Sequence, residues 1–334
     1  MSEIASTPPG LRLGSTLYAY TNEFGSRQFS FDELLAETAR RGLGPDVEVI
    51  GYQSFRGFPD LDDATADSFI ARMAELGLRP SCLGINADQE IRRGRVASED
   101  EMVAYHEPQM RLAARLGFPV VRYQYGAGPN VIRRLASLAE DLGVKLGLEL
   151  HAPQHANHPE VMAYREMYAQ VNSPALGWIP DFSSTAARVP PSYLESLRQR
   201  GVPEDLITLA VEIWNGKGDA QARMMDYRAR AEAGNWAPQD IGALLLIFPM
   251  FGNADPASWN ELMDAVVHIH GKFWGFDADG NEEAIDYGAI LPLFRAAGYE
   301  GTMSSEWEGH LYSDANAFDL VERHQAMCRA ILAA

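Results

Sequence analysis

Short apolar runs alternate with longer stretches in which apolar side chains recur every three or four positions. The short runs read as strands and the longer ones as amphipathic helices. A strand is predicted over residues 11–20, then a helix opened by Ser30 with Glu33 three positions on, the signature of a capping box. Further strands are predicted at 47–52, 81–86, 120–125, 144–150 and 176–180, separated by helices at 64–76, 99–116, 129–142 and 160–171. Gly77, Gly117 and Gly143 close three of these helices. From 186 to 261 the pattern is mostly helical, punctuated by Pro190, Pro191, Pro203, Pro238 and Pro256. The alternation then resumes with a strand at 265–273, a helix at 287–297, a strand at 301–306 and a helix at 315–332.

Eight strands, each followed by helix, imply a parallel sheet. At this length they suit an α/β fold of the closed (β/α)8 barrel (TIM barrel) type, a single domain over 1–334 with a helical insertion at 186–261 after the sixth strand. A doubly wound open sheet is the rival. The first strand, however, runs into Tyr18-Ala-Tyr-Thr-Asn-Glu, which lacks a glycine-rich phosphate-binding turn.

Composition narrows the function classes. Of 334 residues, 46 are acidic and 28 basic, and the net charge of -18 argues against nucleic acid or an anionic membrane as main partner. Two cysteines, Cys82 and Cys328, make no disulfide framework and suit a reducing compartment. Residues 1–10 lack the basic and apolar segments of a secretory signal. The longest apolar run, 241–251, is interrupted by Gly242 and Pro249 and falls short of the roughly 18–20 residues of a membrane span. The expected location is the cytoplasm.

In a barrel the chemistry gathers where strands end at the C-terminal face. The fifth predicted strand places Glu149 there, the sixth Asp181, the seventh His268 and His270, and the eighth Glu306. Three carboxylates and an imidazole converging without a cation would repel one another and be costly to bury. Glu149, Asp181, His270 and Glu306 are therefore candidate metal ligands. The donor set of three oxygens and one nitrogen favours Mn²⁺, with Mg²⁺ or Co²⁺ as alternatives. Singly, each acid also reads as a cap or ion-pair partner, and Asp181 before Phe-Ser-Ser-Thr has the form of an N-cap. Period-two alternation turns Glu149 and His151 the same way, which makes His151 a candidate base. It puts Lys272 beside His270 as a candidate holder of an anionic oxygen, with His268 a layer deeper as a hydrogen-bonded core residue. His155 and His158 read as loop residues. Trp274, Phe276, Trp307 and Tyr312 crowd the same rim, where aromatics stack on ligands or merely pack.

Leu-Glu149-Leu-His151, Pro-Asp181-Phe-Ser, His268-Ile-His270-Gly-Lys272-Phe-Trp274 and Ser305-Glu306-Trp307-Glu308-Gly-His310 together resemble the xylose isomerase-like superfamily of sugar isomerases and epimerases. Within it the chain is most similar to the catalytic alpha subunits of bacterial C-glycoside deglycosidases. That resemblance implies a lyase acting on 3-oxo-C-glycosides of flavonoids and related aromatics, by loss of the C2 proton and departure of the aglycone from C1. It implies a metal at the four ligands, His151 as base, Lys272 beside the developing oxyanion, and Trp274, Trp307, Glu308 and His310 against the substrate. It also implies a small β subunit in a hetero-oligomer. A metal-dependent sugar isomerase or epimerase is the alternative reading. A DNA-nicking endonuclease of the same superfamily needs further histidine ligands and a basic groove, which the charge of -18 opposes.

Overall fold

The computed structural model describes residues 10–334 apart from 87, 88 and 92; the expectation for the first ten residues therefore falls almost wholly outside the described residues. Eight strands are formed: β1 (Arg12–Thr16), β2 (Asp46–Ile50), β3 (Arg79–Gly84), β4 (Val120–Tyr123), β5 (Lys145–Leu150), β6 (Leu176–Pro180), β7 (Ile269–Phe273) and β8 (Thr302–Trp307). Neighbours pair in parallel in the order β6-β5-β4-β3-β2-β1-β8-β7. Isolated parallel bridges between Trp178 and Val266 and between Asp181 and His270 draw the two ends of that sheet together. The result is the expected (β/α)8 barrel, with helices following the strands on the outside.

Local signals behave as predicted. Ser30 and Glu33 form a reciprocal capping box at the head of helix Phe31–Arg40, with Ser30 N–H donating to Glu33 Oε2 at 2.8 Å. Between β6 and β7 the chain forms helices Pro191–Gln199, Glu204–Trp214, Ala220–Ala233 and Pro238–Leu245. The side chains of Leu206, Ala210, Trp214, Tyr227, Leu244 and Phe248 are buried there. No helix among the described residues is long and apolar enough to cross a membrane.

Two strands are shorter than the pattern predicts by more than two residues at one end. The expected strand at 11–20 leaves the sheet at Thr16, whose hydroxyl accepts the N–H of Tyr18 and turns the chain into a 3-10 segment, Leu17–Tyr20. That turn puts Tyr18 on the C-terminal rim. The expected strand at 265–273 begins only at Ile269, because Val267 is used to fill the barrel base. A Cβ on Gly177 would lie 2.4 Å from Val267 Cγ1, and one on Gly147 would lie 3.0 Å from Cγ2, so both positions must stay bare.

The base also carries an ionic clamp. Asp46 of β2 accepts from Arg12 Nε of β1 at 2.9 Å, Arg79 Nε of β3 at 2.8 Å and Thr302 Oγ1 of β8 at 2.6 Å, so one carboxylate ties four strands. Burial raises its pKa, but the Thr302 and Arg12 hydrogen bonds and the Arg79 charge outweigh that and hold it below the usual aspartate value. A depressed carboxylate stabilises the fold above its unfolded pKa and loses that contribution as pH falls through the folded one. Asp46→Asn is expected to cost about 1–2 kcal/mol in urea unfolding at pH 7, the half-exposed arginines being screened. The gap to wild type should shrink as the pH is taken below about 4.

Candidate metal and catalytic site

The four predicted ligands do meet. Glu149 near the end of β5, Asp181 just past β6, His270 on β7 and Glu306 on β8 each offer one atom, all within 4.8 Å of one another, and all four are buried. His270 Nδ1 sits at the centre, 2.9 Å from Glu149 Oε1, 3.0 Å from Glu306 Oε2 and 3.7 Å from Asp181 Oδ2.

The second polar atom of each ligand is held by the protein. Glu149 Oε2 accepts from Arg122 and from Gln124 Nε2. Asp181 Oδ1 accepts the N–H of Ser183 at 2.8 Å. Glu306 Oε1 takes Lys272 Nζ at 3.0 Å. His270 Nε2 meets Glu48 Oε1 at 3.0 Å, which fixes the ring and directs Nδ1 inward. The inward atoms Asp181 Oδ2, His270 Nδ1 and Glu306 Oε2 are buried without a hydrogen-bond partner. Asp181 thus satisfies both sequence readings, since one oxygen caps the following turn while the other faces the cluster.

The charge balance calls for a cation. Glu48, Glu149, Asp181, Glu306 and Glu308 are all buried, against two buried permanent cations, Arg122 and Lys272. Five against two leaves three uncompensated negative charges in a dry interior. Burial lowers the pKa of His270, yet the surrounding Glu48, Glu306, Asp181 and Glu149 drive it well above the ordinary value. The donor set and its orphaned atoms fit a divalent ion.

Around the cluster the other expected residues fall into two groups. His151 Nδ1 lies 2.7 Å from the Ala152 carbonyl and so carries its hydrogen there, while Nε2 faces Glu308 Oε2 at 3.7 Å. Burial opposes the charge on His151, but Asp181 and Glu308 raise its pKa to about 9. Lys272 Nζ touches Asp181 at 3.3 Å and Glu308 at 3.0 Å as well as Glu306. Glu308, expected against the substrate, meets Lys272 and His151 in this structure. His310 is 8 % exposed and packs edge-on against Tyr18 with ring centroids 5.2 Å apart.

The tryptophans, expected against the substrate, are buried in this structure. Trp307 is fully buried and its Nε1–H donates to the Trp274 carbonyl at 2.9 Å. Trp274 is buried against Phe251 with ring centroids 4.8 Å apart. Both indoles pack inside the loops, where burial of their large apolar rings stabilises the chain's course. His268 lies deeper as expected, its Nε2 3.0 Å from Ser304 Oγ and 3.4 Å from Glu48.

Glu48, Arg122, Gln124 and Tyr18 were not singled out from the sequence. A signal existed for two of them. Glu48 in Asp-Val-Glu-Val-Ile and Arg122 in Val-Val-Arg-Tyr interrupt apolar strands, and a charge there must face another charge inside the barrel.

Residues 46–331 match the family described as xylose isomerase-like TIM barrel. The chain is 37% identical over 332 residues to the 3'-dehydrocarminate deglycosidase alpha subunit of a Microbacterium species, covering 96% of this chain and 95% of that one. It is 38% identical over 336 residues to a C-glycoside deglycosidase alpha subunit of Arthrobacter globiformis, covering 96% and 90%. Among solved structures it superposes on the D-psicose 3-epimerase of Clostridium cellulolyticum H10 with a TM-score of 0.60 at 11% identity, covering 96% of this chain and 99% of that one, which is a likeness of fold.

Two expectations follow from the cluster. Adding Mn²⁺ to the metal-free protein should raise its unfolding free energy by about 2.7 kcal/mol at a hundredfold excess over Kd, a gain that Asp181→Asn abolishes and Glu48→Gln weakens through a 10–100-fold loss of affinity. Because the raised pKa of His270 keeps its proton until the ion displaces it, binding should release protons and tighten as pH rises; calorimetry in buffers of different ionisation enthalpy measures this.

Proposed function

The chain belongs to the xylose isomerase-like TIM barrel family, and within it we propose a metal-dependent lyase that cleaves the carbon–carbon glycosidic bond of 3-oxo-C-glycosides with flavonoid or related aromatic aglycones. The names of the relatives support the bond and the oxidised sugar. The observation that carries the mechanism is a histidine beside the four-ligand cluster that is not itself a ligand, with Nδ1 tied to the Ala152 carbonyl and Nε2 turned towards Glu308.

A divalent ion on Glu149, Asp181, His270 and Glu306, Mn²⁺ in our reading, would supply Lewis acidity towards the oxygens of a keto sugar. The chain's own residues do the rest. A ketone at C3 acidifies the C2 proton, and His151 Nε2 is the acceptor for it. Burial opposes the charge on His151, while Asp181 and Glu308 raise its pKa; a cation on Asp181 would weaken one of those causes and favour the neutral, basic imidazole. The C1–aryl bond then breaks, its former bonding pair takes a proton at the aryl carbon, and a C1–C2 double bond forms. One aglycone C–H is made for the C2–H lost, so no oxidant or reductant is needed. Lys272, held by three carboxylates, stands where negative charge develops. Glu308 keeps both His151 and Lys272 in place.

The alpha-subunit names of the relatives support a second, smaller β subunit in a hetero-oligomer, and the reading places the enzyme in the cytoplasm. The helical segment at 186–261 we read as an insertion within a single barrel domain. Its helix Pro191–Gln199 reaches the mouth through Ser192, which meets Glu283 and, at 3.0 Å, the Tyr312 hydroxyl.

Purified protein with Mn²⁺ is expected to free the aglycone from a 3-oxo-C-glucoside without isomerising the free keto sugar; isomerisation without release would make it an epimerase. His151→Ala should lower turnover by about 10²–10⁴ while metal affinity and melting temperature hold. A fall in metal affinity instead would remove His151 from the role of base.

A further inference from the structure

A cavity of about 620 Å³ opens on the C-terminal rim, lined among others by Gln89, Gln124, Tyr125, Glu160, Ala163 and Tyr164. It lies one side chain from the metal cluster, because Gln124, which forms part of its wall, donates Nε2–H to Glu149 Oε2 at 3.3 Å. Tyr125 follows directly on Gln124 and is 49% exposed, an open aromatic face on the rim. Its backbone is held from below by Tyr164, whose hydroxyl donates to the Tyr125 carbonyl at 2.7 Å.

The chemistry of the walls selects a ligand. Among the described lining residues none is Lys or Arg and Glu160 is present, which disfavours a phosphorylated or carboxylated ligand. Amides at Gln89 and Gln124 and a carboxylate at Glu160 suit hydroxyl groups, and a tyrosine face suits a flat ring. The volume lies within the range of small-molecule sites.

We propose that this cavity between the loops after β3, β4 and β5 is the subsite for the uncharged hydroxylated aromatic part of the substrate, with Tyr125 as its stacking platform and Gln124 joining it to the metal centre. The proposal rests on the lyase reading for its place in the reaction, but the cavity's preference for such a ring is testable without turnover. Tyr125 and Ala163 contact none of the metal ligands, and both side chains are exposed, so changing them leaves the cluster and the core intact.

The test titrates 5,7-dihydroxyflavone into the Mn²⁺-loaded full chain and follows quenching of protein fluorescence, with phenyl phosphate as the charged control. The wild type should bind the flavone saturably and the phosphate ester at least tenfold more weakly. Tyr125→Ala should weaken flavone binding about tenfold, and Ala163→Trp, which fills the cavity, at least as much, with Mn²⁺ affinity unchanged in both. In turnover of the matching 3-oxo-C-glucoside, KM should rise by the same factor with kcat within about twofold. No saturable flavone binding by the wild type, equal binding of the phosphate ester, or binding that neither substitution alters overturns the subsite. Flavone binding that responds to both substitutions, in a protein that frees no aglycone, overturns the lyase reading and leaves the subsite standing.

Discussion

Everything at the C-terminal end of this barrel answers to one constraint: more negative charge is buried there than the protein's own cations can balance. Glu48, Glu149, Asp181, Glu306 and Glu308 share a small, dry volume with Arg122 and Lys272. Such a cluster is tolerable only if each charge is spoken for, since an unpaired buried carboxylate costs several kcal/mol. Outer atoms are satisfied by Arg122, Gln124, Ser183, Lys272 and Glu48, and the inner atoms are left to a shared ion.

That division of labour explains why the residues around the ligands are as specialised as the ligands. Arg122 occupies space that only a glycine at position 84 leaves open, for a Cβ there would lie 2.6 Å from its Nη2. Glu48 serves two imidazoles, ordering His270 towards the cluster and anchoring His268 beneath it. Glu308 links the four-ligand cluster to His151, meeting Lys272, His151 and, at 3.4 Å, the Tyr18 hydroxyl. Burial opposes the charge on His151, and Asp181 and Glu308 raise its pKa, so the imidazole and the cluster share one electrostatic field.

Much of this was legible from the chain alone, and the reason is local. Strand and helix periods, the Ser30–Glu33 capping box and the acids at strand ends are features of a few consecutive residues, and a parallel barrel turns strand order directly into spatial neighbourhood. Hence Glu149, Asp181, His270 and Glu306 could be brought to one place before any coordinates. The chain alone leaves open what depends on an environment from elsewhere in the chain. Trp274 packs edge-on against Phe251, and Trp307 lies where a Cβ on residue 309 would meet its Nε1, neighbours that no local pattern announces.

Hydrophobic rhythm and strand-end chemistry by themselves determined the barrel, the order of its strands and which four side chains converge. Only the tertiary structure decided which atom of each ligand points inward, that Glu48 and Arg122 belong to the centre, and that Glu308 faces His151 and Lys272. The physical reason is that orientation of a buried charge is set by its hydrogen-bond and ion-pair partners, and here, apart from Ser183 beside Asp181, those partners lie on other strands or the loops after them, between 25 and 222 residues away.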